Sequence, residues 1–233
     1  MQSYKNLVLL GTSHISIESI KEVEAAIKHY KPHTIALELD LPRFNSLVYH
    51  RKKKLRLKDI KHIGFKGYIF NLIGAIIEKR LGKIVGTSPG DEMKAAVKLA
   101  FENKLEIALI DQDIRITLKN ISARMTFREK LRFLGEIFAS AIFPSKIKID
   151  LRKVPSKEII SKLTKQLKLR YPSLYSSLIV DRNIIMAKRL YTLMNTNKKV
   201  LAIVGAGHEE EILDLIKQEK GGTKYKLTLL KPR

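Results

Sequence analysis

Cysteine is absent from the 233 residues, so neither a disulfide framework nor a thiolate metal site is available, and the redox compartment is left open. Long apolar runs are missing as well. Phe70 to Ile77 is the longest and Asn71 interrupts it, whereas a bilayer span needs roughly 20 consecutive apolar residues. The opening "MQSYKN" lacks the hydrophobic stretch of a signal peptide. A cytoplasmic protein, at most peripheral at a membrane surface, is the expectation.

Acidic residues are scarce: 23 Asp and Glu face 45 Lys and Arg, a formal net charge of +22. Such an excess attracts phosphates and anionic surfaces. The basic residues concentrate in Arg51 to Lys66 and Lys146 to Arg170, and no zinc finger, RNP-like string or aromatic-interleaved motif accompanies them. Specific nucleic-acid binding is therefore not expected. Solvated faces, or contact surfaces for an acidic partner or an anionic membrane, fit these segments. Two phosphate fingerprints fail outright. "GAGHEE" puts Glu210 where the third dinucleotide-binding glycine belongs, and "GTSPGDE" has no Walker lysine.

What is present is a core: 45% of residues are hydrophobic, enough for one domain over 1–233 rather than two small ones. "NLVLLGT" and "TIALELD" read as strands buried on both faces. Between them Ile20, Val23, Ile27 and Tyr30 recur at helical spacing, with Ser16 as cap and Pro32 as stop. After "KIVGT", Ser88, Pro89 and Asp91 mark a helix start carrying Met93, Ala96, Val97 and Ala100 on one face. "EIALIDQD" is the next strand. From Ile121 to Asn195 the pattern is helical, with an apolar stripe of Phe127, Leu131, Leu134, Phe138 and Ala141. "KKVLAIVGAGH", "EEEILDLIKQE" and "KYKLTLL" supply a strand, a helix and a last strand. The fold expected is α/β: a mostly parallel central sheet flanked by helices, with residues 121–195 as a helical insertion or cap.

Parallel sheets bind ligands beyond the carboxyl ends of their strands. Read that way, the first strand delivers Gly11 and His14, the second Glu38 and Asp40, the third Asp111 and Asp113, and the fourth Gly205, Gly207 and His208. A lone histidine after a strand is ordinarily a turn residue, but Gly-x-x-His occurs twice, as "GTSH" and "GAGH". Two imidazoles and one or two carboxylates on one rim can hold a divalent metal with positions open to water. Glu38 lies among apolar neighbours, where an unpaired charge is costly. It needs a metal, an arginine or a raised pKa. Asp40, Asp111 and Asp113 equally suit caps and turns. The glycines either permit tight turns or let a substrate approach the backbone.

Five blocks, "LLGTSHISIESIKEVEAAIKHYKPHTIALELDLPRFNSL", "GTSPGDEMKAAVKLA", "IALIDQDIRITLKN", "DRNIIMAKRL" and "LAIVGAGHEEEI", resemble those of the TraB family in the same order. That family is remotely similar to the Tiki metalloproteases, the ChaN-like proteins and the erythromycin esterases. The resemblance implies a metal-dependent hydrolase, in the first instance a peptidase, holding Mn, Co or Zn at His14, Glu38 and His208. It implies further roles for Arg43 and Arg182, and Glu38 would be either a metal ligand or the general base. Arg182 would stabilise an oxyanion or orient Glu38. The alternative it carries is a pheromone-shutdown type of regulator that sequesters a peptide or signal without cutting it. A homo-oligomer is compatible with either. Asp181 replaces the family's usual Glu, Gln112 stands where an Arg is expected, and the membrane-anchoring tail of many prokaryotic members is missing.

Overall fold

A computed structural model of the chain describes residues 1–12, 17–49, 90–142, 157–196, 198–219 and 227–231. The apolar runs become strands because helices cover both faces of the sheet, so every side chain of an inner strand can be buried. β1 (Gln2–Tyr4) leads into β2 (Leu7–Thr12), α1 (Ile17–Tyr30), β3 (Thr34–Leu37) and α2 (Leu41–Val48). Next described are α3 (Asp91–Glu102), β4 (Glu106–Leu109), α4 (Ile114–Arg124), α5 (Phe127–Ile142), α6 (Lys157–Arg170) and α7 (Pro172–Tyr175). A π-helical turn (Ser176–Val180) then feeds α8 (Asp181–Met194), β5 (Val200–Gly205), α9 (Glu209–Gln218) and β6 (Thr228–Leu230). None of the described helices is long and apolar enough to cross a membrane.

The strands form one sheet in the order β1-β2-β5-β3-β4-β6. Its inner strands β2, β5, β3 and β4 run parallel. Both edges, β1 on β2 and β6 on β4, are antiparallel. The expectation of a mostly parallel sheet thus holds for the interior, and the sheet as a whole is mixed. β1 has three residues with only partial burial, too short to display a period in sequence. "KIVGT", Ser16, Ser88 and Pro89 lie outside the described residues. α3 starts at Asp91 behind Gly90, whose φ of 92° is left-handed backbone that glycine adopts without steric cost.

Side chains alternate strictly across the sheet. Val8, Leu10, Ile35, Leu37, Leu201 and Ile203 pack with α1, α2 and α3 on one face. Leu7, Leu9, Ala36, Val200 and Ala202 pack with α8 and α9 on the other. α2 follows β3 on the first face and α9 follows β5 on the second, so these neighbouring strands part at their carboxyl ends. That divergence is a topological switch point, where a crevice opens.

The described part of 121–195 is helical. α8 packs directly on the sheet through Met186, Leu190 and Leu193. Ile121, Met125, Tyr171 and Leu174 form a separate small cluster. An apolar helical stripe ordinarily turns to a core, yet Phe127, Leu131 and Leu134 are 75%, 58% and 49% exposed. α5 docks instead through Phe133, edge-on to Tyr171 at 5.9 Å, and through Glu129. The buried Glu129 carboxylate accepts hydrogen bonds from the Thr126 N–H (2.8 Å), the Ser173 N–H (2.9 Å) and both hydroxyls (3.0 and 2.8 Å). It ties the start of α5 to α7, immediately before the π turn that leads to the rim.

Burial opposes the Glu129 charge, but these donors outweigh it and hold its pKa below the ordinary carboxylate value. A depressed folded pKa gives stability that is present above the unfolded value, about 4.3 for Glu, and lost as pH falls through the folded value. Glu129→Gln should cost about 1.5–3 kcal/mol at pH 7. In urea unfolding across pH 2–7, the difference between wild type and variant should shrink steadily below about pH 4. A pH-independent difference would show that the carboxylate charge is not what holds these helices.

Candidate functional site

Glu38 is the residue after β3. Its N–H still donates to the Ile203 carbonyl (3.1 Å), and the Leu39 N–H then reaches back to Leu37 O (2.7 Å) in a three-residue turn. The carboxylate is left in the crevice between β3 and β5. Its Oε2 accepts the Gly205 N–H at 2.6 Å, and its Oε1 meets Arg182 Nη2. The anticipated partner of this buried charge is therefore an arginine. Arg182 Nε and Nη2 also fork onto Asp111 at 3.0 and 2.7 Å, and Nη1 donates to the Leu178 carbonyl of the π turn at 3.2 Å.

Asp111 follows β4 and is the centre of the cluster. Its Oδ1 takes the Gln112 N–H at 2.7 Å and its Oδ2 meets Arg43 Nη2. Its own carbonyl accepts Arg189 Nη1 at 2.5 Å. The Asp111 side chain is fully buried and that of Glu38 4% exposed. Burial weakens the Arg182 charge, but Glu38 and Asp111 outweigh that and raise its pKa above the ordinary arginine value. Arg43 is held up in the same way against burial, by Asp111 and Asp40. For Arg189, burial wins over the attraction of Asp111 and the pKa falls.

Asp40 and Asp113 act as caps. Asp40 Oδ1 receives the Arg43 N–H at 2.8 Å and its Oδ2 the Ile114 N–H at 2.8 Å, linking α2 to the start of α4. Asp113 caps α4 through the Arg115 N–H at 2.8 Å. Arg182 spends its donors on the carboxylates of Glu38 and Asp111 and on the Leu178 carbonyl.

His208 occupies the N-cap position of α9, with its N–H on the Gly205 carbonyl at 2.8 Å. The residue is buried, its side chain 8% exposed. Nδ1 lies 2.5 Å from Asn183 Oδ1, and Asn183 Nδ2 donates to Glu211 Oε2 at 2.9 Å. The second bond fixes the amide's orientation, so Nδ1–H is the donor and Nε2 is turned toward Glu38 Oε1, 3.6 Å away. A ligating histidine is held in this manner, one nitrogen committed to an acceptor and the other presented. His14 lies outside the described residues, among which no group of three His, Asp or Glu is arranged for a metal. The donors present fit part of such a centre: the His208 imidazole and the Glu38 carboxylate, with the remaining ligand to come from elsewhere.

The glycines have separate reasons. Among the described residues the glycine with positive φ is Gly90, so Gly11, Gly205 and Gly207 are not required by backbone strain. Gly205 contributes its N–H to Glu38. At Gly11 a Cβ would stand 2.7 Å from Glu209 Oε2 and 3.1 Å from Ala206 Cα: the site demands space. Gly11 and Gly207 line a cavity of about 660 Å³, walled also by Glu22, Glu209, Glu210, Glu211 and Asp214 and by Lys165 and Lys168 of α6. Sequence reasoning missed Asn183, Arg189 and the acidic wall. Asn183 adjoins Arg182 in "DRN", and Arg189 is seven positions on, two helical turns along the same face.

Comparison with known proteins points to one lineage. The family model described as TraB/PrgY/gumN family matches residues 3–220. An uncharacterized protein of Methanocaldococcus jannaschii is 39% identical over 93% of this chain and 55% of its own length. TraB domain-containing proteins of Homo sapiens and Mus musculus are each 21% identical over 86% of this chain and 60% of theirs. The chain thus spans little more than half the length of the curated relatives it matches.

Removing one member of a buried ion cluster leaves the others uncompensated, typically at about 3–5 kcal/mol. Asp111→Asn, which sets a neutral amide between Arg182 and Arg43, should lose about that much in urea unfolding at neutral pH. A loss below about 1 kcal/mol would mean that the cluster does not hold the rim together.

Proposed function

The chain belongs to the TraB/PrgY/gumN family, and from that membership together with the rim geometry we propose that it is a metal-dependent hydrolase acting on peptide bonds. The observation that carries the reading is the presentation of His208 Nε2 to Glu38 Oε1 at 3.6 Å; the chain neighbours of His208, Gly207 and Glu209, line the cavity of about 660 Å³. His208 and Glu38 would hold the metal, with His14 as a further ligand from the matching Gly-x-x-His motif. A bound Mn, Co or Zn ion supplies a Lewis acid and lowers the pKa of coordinated water to about 7.

The protein's own groups do the rest. Asn183 keeps the His208 ring in one orientation. Arg182 and the Gly205 N–H both donate to Glu38, and a donor set of this kind suits the ionised carboxylate that metal binding requires. Asp111 keeps Arg182 in place, so Glu38 does not have to collapse onto a mobile cation. α6, with Ser161, Thr164, Lys165 and Lys168 on the cavity wall, is placed to limit access of bulk water.

Metal content by elemental analysis and cleavage of a peptide library with Mn²⁺, Co²⁺ or Zn²⁺ test this reading. Wild type should bind metal and turn over peptide, while His208→Ala should stay folded, lose metal and lose at least about 100-fold in turnover. Glu38→Gln should lose metal likewise. Full metal retention with lost turnover in Glu38→Gln would make Glu38 the general base. Peptide capture without cleavage under every metal would overturn hydrolysis in favour of a sequestering role.

A further inference from the structure

The packing of the fold leaves the apolar stripe of α5 unused. At about 100° per residue, Phe127, Leu131 and Leu134 fall on one face of that helix, and all three stand exposed. Arg128 and Lys130 border the face on either side. Glu129, Phe133 and Glu136 lie on the opposite side, where the helix meets the protein. There Glu129 accepts from Ser173, Phe133 packs edge-on to Tyr171, and Glu136 pairs with Arg170 of α6. The helix carries no other acid, so both of its negative charges are paired with protein groups. Arg132 donates to the Arg170 carbonyl at 2.8 Å, which draws in the last turn of α6 with its exposed Leu169. What α5 offers outward is therefore phenylalanine and leucine fringed by cations.

We propose that this face of α5 docks on an anionic lipid bilayer, with Phe127, Leu131 and Leu134 entering the boundary between headgroups and acyl chains and with Arg128 and Lys130 among the lipid phosphates. Charge favours this occupant. A chain of net charge +22 is drawn to a negative surface, whereas a second copy would set Arg128 and Lys130 against their own counterparts. Shape favours it too. A single exposed helix face is a convex ridge that fluid lipid accepts as it stands, while a folded protein partner has to supply a groove for it. Apolar side chains between Lys and Arg hold amphipathic helices in the membrane interface by burial and by attraction to anionic lipid together. α5 is not long and apolar enough to cross the bilayer, so the contact is peripheral and reversible. It is independent of the hydrolase reading, because no residue of α5 belongs to the rim.

Co-sedimentation of the full chain with vesicles of equal parts phosphatidylglycerol and phosphatidylcholine, and with phosphatidylcholine alone, tests the proposal. Partitioning onto the anionic vesicles should be at least about tenfold stronger in low salt and should weaken as salt rises. Leu131→Gln/Leu134→Gln should lower it at least about tenfold, and Arg128→Gln/Lys130→Gln about 25-fold, or about fivefold for each cation. Circular dichroism should match wild type in both. The chain has no tryptophan, so Leu131→Trp places a single reporter on the face: its emission should shift to the blue on anionic vesicles and be quenched by brominated lipid. Equal binding to neutral and anionic vesicles, or a tryptophan emission that vesicles do not move, overturns the proposal. Binding lost in the cation variant but kept in the leucine variant also overturns it, since that is adsorption by charge alone. Self-association in sedimentation velocity that Leu131→Gln/Leu134→Gln abolishes, without vesicle binding, overturns it in favour of a second copy.

Discussion

The Asp111 carboxylate, fully buried and forked by Arg182 while Arg43 closes on its other side, is the interaction on which the rest of the rim depends. A charge in that position would be untenable alone, and the arginines would be equally so without it. The partners come from three parts of the chain: Arg43 from α2, Arg182 and Arg189 from α8, Glu38 from the end of β3. The cluster therefore joins helices on opposite faces of the sheet across the crevice that separates them. A buried ion network of this kind is poor evidence for extra stability, because packed apolar residues could replace it at no loss. What it secures is direction. Glu38 is aimed by two donors and His208 by one acceptor, so both side chains are held in place by their neighbours.

The crevice exists because of strand order. β5 enters between β2 and β3, and the helices that follow β3 and β5 leave on opposite faces. Had the strands been laid down in sequence, the second Gly-x-x-His motif would fall at a sheet edge, far from Glu38. The parallel register Leu37↔Ile203 instead sets Glu38 level with the turn at Gly205. The π turn before α8 makes its own adjustment. π-helical turns recur at functional sites because the extra residue shifts the following face and frees carbonyls, and here the Leu178 carbonyl receives Arg182. Asp181, the first residue of α8, bonds Arg124 at 2.7 Å and Asn120 at 3.0 Å and so pins α4 to α8.

Much of this was legible from residues alone, for physical reasons. Four strands buried on both faces produce continuous apolar runs, and the loops after parallel strands collect polar groups, so Glu38, Asp111, Gly205 and His208 could be assigned to one rim from their positions. The need of Glu38 for a partner followed from its neighbours. The edges were harder. β1 is too short for a pattern and β6 lies in a polar segment, and nothing local specifies that either pairs antiparallel. The outward turn of Phe127, Leu131 and Leu134 was also not legible, since helical periodicity states that a stripe exists without saying which side meets the core. Asn183 escaped because its role depends on a histidine 25 positions away. Glycine misled in a different manner: Gly11 suggests a turn, whereas its function is to make room for Glu209.

The same space requirement links the two halves of the site. Because Gly11 on β2 has no Cβ, α9 can begin close to the neighbouring strand and lodge Glu209 in the wall of the cavity. The turn that permits this, closed by the Ala206 N–H on the Thr12 carbonyl at 2.9 Å, is also the turn that places His208. A bulkier residue at Gly11 would push on Ala206 and on Glu209 together, and through that turn would move the imidazole relative to Glu38. The two Gly-x-x-His motifs are thus coupled through packing: the glycine of the first sets the seat of the helix that carries the histidine of the second. Glycine at Gly11 is then a condition on how closely the strand and the helix approach, and the position of the His208 ring follows from that spacing.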